Sequence, residues 1–147
     1  MNGRDIIISI DAMGGSNAPA AMLEGAALAA RDFPDIYFII YGDCAAIMEL
    51  AEKSEALKGR YKIVHTPEAI LDTDSPLKAL RRGKSSSMYK AVEAVSINEA
   101  DACVSSGNTG ALMMMSQWLL GYLPGIKKSA IVGVFPNRQG GSVLLDL

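Results

Sequence analysis

The sequence predicts an α/β domain with a mostly parallel sheet and helices on both faces. Three observations carry that prediction. Short β-branched runs alternate with longer helical stretches along almost the whole chain. Two strand-to-helix junctions, "ISIDAMGGSNAP" at 9–20 and "CVSSGNTGALMMM" at 103–115, share one design: a run that ends on a polar residue, then glycines, then a helix. The chain has 147 residues, half of them apolar, which is enough for one domain with a core of its own.

In order, Ile6 to Asp11 reads as a short buried strand because β-branched residues dominate it. Ala18 to Asp32 reads as a helix with Pro19 in its first turn, Ser16 or Asn17 as cap, and Pro34 beyond its end. Ile36 to Tyr41 is a second strand, closed by Gly42 and Asp43. Ala45 to Ser54 is a second helix, with Leu57 as its outer limit, and Tyr61 to His65 a third strand. Thr66 to Lys84 is loop-like, with a short helix over Pro76 to Arg82. Ser86 to Ile97 is helical, Ala102 to Ser105 a strand, and Thr109 to Tyr122 a helix. Ser129 to Phe135 and Ser142 to Leu147 complete the strands. No repeat, low-complexity tract or linker interrupts this order. The last residues, "SVLLDL", read as a core strand, and a chain that stops there is expected to continue in a longer protein.

Composition excludes several functions. A formal net charge of −2, with no cationic cluster larger than Arg81, Arg82 and Lys84, argues against nucleic acid as a partner. Cys44 and Cys103 lie far apart in no CxxC pattern, which argues against a disulfide framework or a zinc site and for buried thiols in a reducing compartment. A single histidine, His65, argues against a metal cluster or a Ser-His-Asp triad; at a strand end it reads as structural. The N-terminus lacks a signal-peptide pattern, and no apolar run reaches the roughly 18–20 residues of a membrane span. A cytoplasmic protein is expected.

Ligands of open α/β sheets bind outside the carboxyl ends of the strands. Asp11, Gly14 and Gly15 lie at one such end, and Gly107, Asn108, Thr109 and Gly110 at another. Glycines let backbone approach a ligand, and the helix that follows offers free N–H groups to an anion. The second corner suits a phosphate or an acyl carbonyl, but Asn108 or Thr109 would serve equally as a helix cap. Asp11 fits a substrate contact or a turn cap. Neither corner matches GxxxxGK[ST] or GxGxxG. In "LRRGKSSSM", Arg81, Arg82 and Lys84 precede Ser86 and Ser87 at a helix start. That is either a phosphate grip or a solvated basic loop with a serine cap. The acids of "LDTDSP", 71–76, lie close enough to pair with those arginines. Met113 to Met115 and Trp118 make an apolar helix face, suited to core or subunit interface.

The motifs "IDAMGG", "RRGKSSSM", "ADACVSSGNTGALM", "PGIKKSA" and "VLLDL", in this order and spacing, resemble the bacterial acyl-ACP:phosphate acyltransferases of fatty acid and phospholipid synthesis. The resemblance covers almost the whole chain and implies its identity as the N-terminal part of a single acyltransferase domain, the C-terminal half being absent. Gly83 and Ser85 depart from the basic and Asn/Asp residues the family tends to carry there. The resemblance implies a fold like that of isocitrate and isopropylmalate dehydrogenases. It implies transfer of an acyl group from acyl carrier protein to orthophosphate, with no cofactor and no metal. It also implies a homodimer at the inner membrane face, whose product passes to a glycerol-3-phosphate acyltransferase. By the same resemblance, Lys84 and Asn108 are the catalytic residues: Lys84, with the SGNTG amides, binds phosphate or the oxyanion, and Asn108 orients the carbonyl. Asp11, Gly14, Gly15, Arg81, Arg82, Ser86, Ser87, Gly107, Thr109 and Gly110 hold substrate or phosphate. Two alternatives stand beside it: a phosphotransacetylase-like enzyme using acyl-CoA, and a non-catalytic fragment. A nicotinamide dehydrogenase would share the fold, but the DAMGG and SGNTGAL matches argue against it.

Overall fold

A computed structural model describes residues 6–145. Strands β1 (Ile6–Asp11), β2 (Ile36–Gly42), β3 (Tyr61–His65) and β4 (Ala102–Ser105) form one parallel sheet in the order β3-β2-β1-β4. Helices α1 (Ala20–Asp32) and α2 (Cys44–Ala51) join the first three strands; α3 (Pro76–Arg82) and α4 (Ser87–Ser96) carry the chain back to β4. Helix α5 (Thr109–Leu120) follows β4. The winding direction therefore reverses between β1 and β4, and the carboxyl ends of those two strands flank the reversal.

Strand alternation puts α1 and α2 on one face of the sheet and α4 on the other. Ile8, Ile10, Phe38 and Ile40 pack with Leu23, Ala26 and Ala30 of α1 and Ile47 and Ala51 of α2. Ile7, Ile39 and Tyr41, from the alternate positions, pack with Ala91 and Ala94 of α4. Each fully buried side chain of this size contributes about 1.5–3 kcal/mol. Ser9 faces α4 too, fully buried, and its hydroxyl is satisfied by donating to the Ala91 carbonyl at 2.7 Å. A third cluster, Ala79, Met88, Tyr89, Ala111 and Met115, ties α3, α4 and α5 together.

The helix starts follow local chemistry. Asp43 caps α2 by accepting from the Ala46 amide at 2.9 Å. Ser75 caps α3 ahead of Pro76, which occupies the first turn, where its missing N–H costs nothing. The helix α1 begins at Ala20, with Pro19 as its N-cap residue, and α2 ends at Ala51 before a single 3-10 turn over Glu55–Leu57. These boundaries differ from the predicted ones by a few residues at frayed ends.

Three expectations need correction. The last two strands, β5 (Val132–Asn137) and β6 (Gly140–Leu145), do not join the parallel sheet; they pair with each other as an antiparallel hairpin. All of β6 is exposed, so "SVLLDL" is not a core strand over its described residues; Asp146 and Leu147 lie outside them. Cys44 and Cys103 are half-buried, not buried, and both are free thiols. His65 is structural, as expected: its Nδ1 accepts from the Cys44 amide at 3.3 Å, at the start of α2. Among the described residues no helix is long and apolar enough to cross a membrane, and no group of His, Cys, Asp and Glu could hold a metal ion.

Candidate functional site

The parallel register sets Asp11 directly beside Ser105, so both glycine corners open at one edge of the sheet. Asp11 is almost fully buried. Its Oδ2 accepts from the Ser105 hydroxyl at 2.7 Å and its Oδ1 from the Met13 amide at 3.2 Å. The Ser105 Oγ in turn accepts from the Gly107 amide at 3.1 Å. Ser106 closes the junction from the other side by donating to the Gly14 carbonyl at 2.8 Å. Asp11 therefore joins the two corners as well as capping its own turn.

The glycines make this contact possible. A Cβ on Gly14 would sit 2.7 Å from Asp11 Oδ2 and 2.8 Å from the Gly107 amide nitrogen. Gly15 has φ near +90°, a conformation strained for any other residue, and its Cβ would meet Ser106 Oγ at 2.7 Å. The two loops are in direct backbone contact.

Asn108 caps α5: its Oδ1 accepts from the Ala111 amide at 2.9 Å. Its Nδ2 donates to the carbonyls of Leu71, Asp72 and Asp74 at 3.3, 3.1 and 2.9 Å. One side chain thus starts the helix and holds the 71–74 turn over it. The first amides of a helix have no partner within the helix. Here Ala111's is taken by Asn108, while those of Thr109 and Gly110 have no partner among the described residues. Thr109 is exposed, and Pro76 of α3 packs beside Gly110. The edge therefore offers two free N–H groups at the positive end of a 12-residue helix.

The predicted basic loop is spread out. Ser86 caps α4, accepting from the Tyr89 amide at 3.2 Å and donating to the Gly83 carbonyl. Ser87 donates its amide to the Glu68 carbonyl, and its buried hydroxyl has no partner among the described residues; nor has that of buried Thr66. Arg82 lines a cavity with Glu68, Ile70 and Asp74, while Arg81 and Lys84 line a different groove with Leu77, Leu80 and Trp118. The cations do not converge on one point, and neither groove includes residues of the 105–110 corner. The acids of 71–76 do not pair with the arginines either: Asp74 pairs with Lys78 at 3.2 Å and accepts from the Leu71 amide. Those two contacts, the backbone one first, hold its carboxyl below the usual range. Burial, opposed by a bond from Ser9 and reinforced by the charge of Asp11, pushes the Cys103 thiol up to about 11.

Ser105 and Ser106 lie inside the quoted "CVSSGNTG" stretch, yet no role for them follows from the sequence. Their importance depends on which strand β4 pairs with. The signal for the cap was present, since Asn ahead of a helix start is a preferred cap.

Residues 6–147 match the family described as fatty acid synthesis protein. Among curated relatives, a phosphate acyltransferase of Bradyrhizobium diazoefficiens is 48% identical over 141 residues, 95% of this chain and 40% of the relative. Phosphate acyltransferases of Rhodopseudomonas palustris (strain BisB5) and Afipia carboxidovorans are 48% and 47% identical over the same shares. The chain thus spans about 40% of the length of the curated relatives it matches.

Proposed function

This chain belongs to the fatty acid synthesis protein family, and from that premise we propose that it is part of a phosphate acyltransferase that makes acyl phosphate for phospholipid synthesis from an acyl thioester and orthophosphate. The observation that carries the reading is the pair of unpartnered amides at Thr109 and Gly110, beside the joined corners. A phosphate oxygen attacks the acyl carbonyl, and a C–O bond forms. The carbonyl oxygen takes up the negative charge of the tetrahedral intermediate. The C–S bond then breaks, and the thiolate leaves and is protonated. Such a site needs preorganised donors for an anion and for the developing oxyanion, and no protein nucleophile.

Within this proposal the amides of Thr109 and Gly110 bind phosphate or the oxyanion. Asp11, Gly14, Gly15 and Gly107 shape the crevice, and Ser86 and Ser87 set the start of α4 beside it. Asn108 acts as a positioning residue, since its amide group is committed to the cap and the 71–74 turn. Acyl carrier protein as donor, passage of the product to a glycerol-3-phosphate acyltransferase, a homodimer, peripheral membrane association and an isocitrate dehydrogenase-like full-length fold are proposals that rest on the family resemblance.

The test is production of hydroxylamine-trappable acyl phosphate by the chain, with acyl carrier protein and CoA thioesters compared as donors. Thr109→Pro removes one donor amide at the first helical position, where proline is tolerated. It should lower turnover about 100-fold, as loss of an oxyanion donor does, while Thr109→Ala changes it little. Equal activity in the two variants would remove the amide from the mechanism. Acyl phosphate from the CoA thioester alone would favour the phosphotransacetylase-like reading, and none from either donor would overturn acyl transfer by this chain.

A further inference from the structure

The helix pair that begins at the crevice ends in a groove of a different kind. Leu77, Leu80, Arg81 and Lys84 on one side and Trp118 on the other enclose about 380 Å³. Trp118 is 70% exposed and Leu77 48%. Ala111 and Met115 of α5 are buried against α3, and Trp118 continues their stripe at helical spacing beyond that cover. Neither Arg81 nor Lys84 is in an ion pair among the described residues. The chain as a whole is slightly acidic, so this positive charge is local.

We propose that this groove is a docking surface for an acidic protein, which sets an apolar side chain against Trp118 and carboxylates against Arg81 and Lys84. Trp and Arg are the residue types that carry most binding energy at interface centres. Two unpaired cations flanking an apolar cleft complement a partner with the reverse arrangement. The shape favours a protein over a bilayer. A membrane surface takes a convex amphipathic face rich in cations, whereas this site is a cleft between two helices with two cations. Pro76 packs on Gly110 where the pair begins, and the eight residues from Gly110 to Trp118 span about 12 Å of helix. Under the acyl-transfer reading, on which this identification rests, the partner is the protein that carries the acyl thioester, seated one helix length from the phosphate site.

Trp118 is the sole tryptophan of the chain, so its fluorescence reports on the groove alone. Titration with acyl carrier protein in its thiol form should give a saturable blue shift that weakens with salt. Arg81→Glu with Lys84→Glu should weaken the apparent Kd about tenfold or more, with an unchanged melting curve showing that the variant folds. No shift with carrier protein overturns the proposal. So does a shift only with anionic phospholipid vesicles, or one that develops with concentration of the chain alone, which would assign the groove to a second copy. Because the thiol form undergoes no chemistry, docking and acyl transfer fail separately. A carrier that binds without yielding acyl phosphate from its thioester leaves the groove standing. Acyl phosphate formed with an unchanged KM for the carrier in the charge-reversed variant removes it.

Discussion

Residues 6–120 and residues 121–145 are similarly rich in large aliphatic side chains, yet only the first stretch has a core. In the sheet, Ile10, Phe38, Ile39 and Ile40 are covered by helices from both sides. In the hairpin, Val132, Val134, Phe135, Val143, Leu144 and Leu145 are all exposed. Only Ile131 and Gly133 between 121 and 145 are even partly covered. A parallel sheet requires helical crossovers and so acquires cover on both faces as it forms. A hairpin closes on its own turn and acquires none. Apolar residues therefore report that burial is needed, without saying what supplies it.

The sharpest way to break this contrast is a pair of truncations. Ile40→Ala should cost about 2–5 kcal/mol, as a cavity in a sealed core does. Val143→Ala should stay within about 0.5 kcal/mol. Urea midpoints of the two variants give the comparison, and equal losses would mean that the hairpin shares the core. Next in size, Gly14→Ala forces a methyl group onto Asp11 and the Gly107 backbone and should cost about 1–3 kcal/mol. Gly25→Ala, in α1 with nothing within 4 Å of its added Cβ, should stabilise by up to about 1 kcal/mol.

A smaller effect probes β4 at the rim of the packed region. With its pKa raised to about 11 from an ordinary 9.0, Cys103 keeps its proton in the folded chain where the unfolded chain loses it. Its contribution to stability is complete below pH 9 and declines as pH rises toward 11. In a Cys44→Ser background, alkylation by iodoacetamide should remain slow at pH 8.5, near an ordinary thiol's pKa; fast alkylation there would show that β4 opens. The smallest effect lies in the exposed 71–74 turn. Asp74 has a lowered pKa, so its support for the turn is present above the ordinary carboxylate value and disappears as pH falls through the lowered one. Protection of the Leu71 amide from hydrogen exchange should fade over that acidic range and be missing in Asp74→Asn.

Much of the fold was legible. β1, β3, β4 and α3 stand where β-branched runs and the Ser75-Pro76 start place them, because local propensity and packing agree there. The hairpin differs from its prediction at the strand ends: strands over 129–135 and 142–147 leave a gap that hides the turn, whereas β5 and β6 are joined by Arg138 and Gln139 alone. A connection that short permits only antiparallel pairing. At the site, the glycine corners and the Asn108 cap were readable from residue type. The clamp of Asn108 on the 71–74 carbonyls and the Asp11–Ser105 link were not, because both depend on contacts between distant parts of the chain. The same holds for Arg81 and Lys84. Their closeness in sequence to Ser86 suggests a shared task, but the last turn of α3 and the loop after it place them in a groove with Trp118.

The Asp11–Ser105 link also has a consequence in time. Its partners stand 94 residues apart, while β2 can add to β1 across a single helix. Closing long loops is slower than pairing neighbours, so β1 and β2 can associate while β4 is still being synthesised. During synthesis from the N-terminus, the crevice cannot exist until Ser105 has emerged and slotted in beside Asp11. A nascent chain carries structured helices and strands well before it carries the joined corners, which form in one late step.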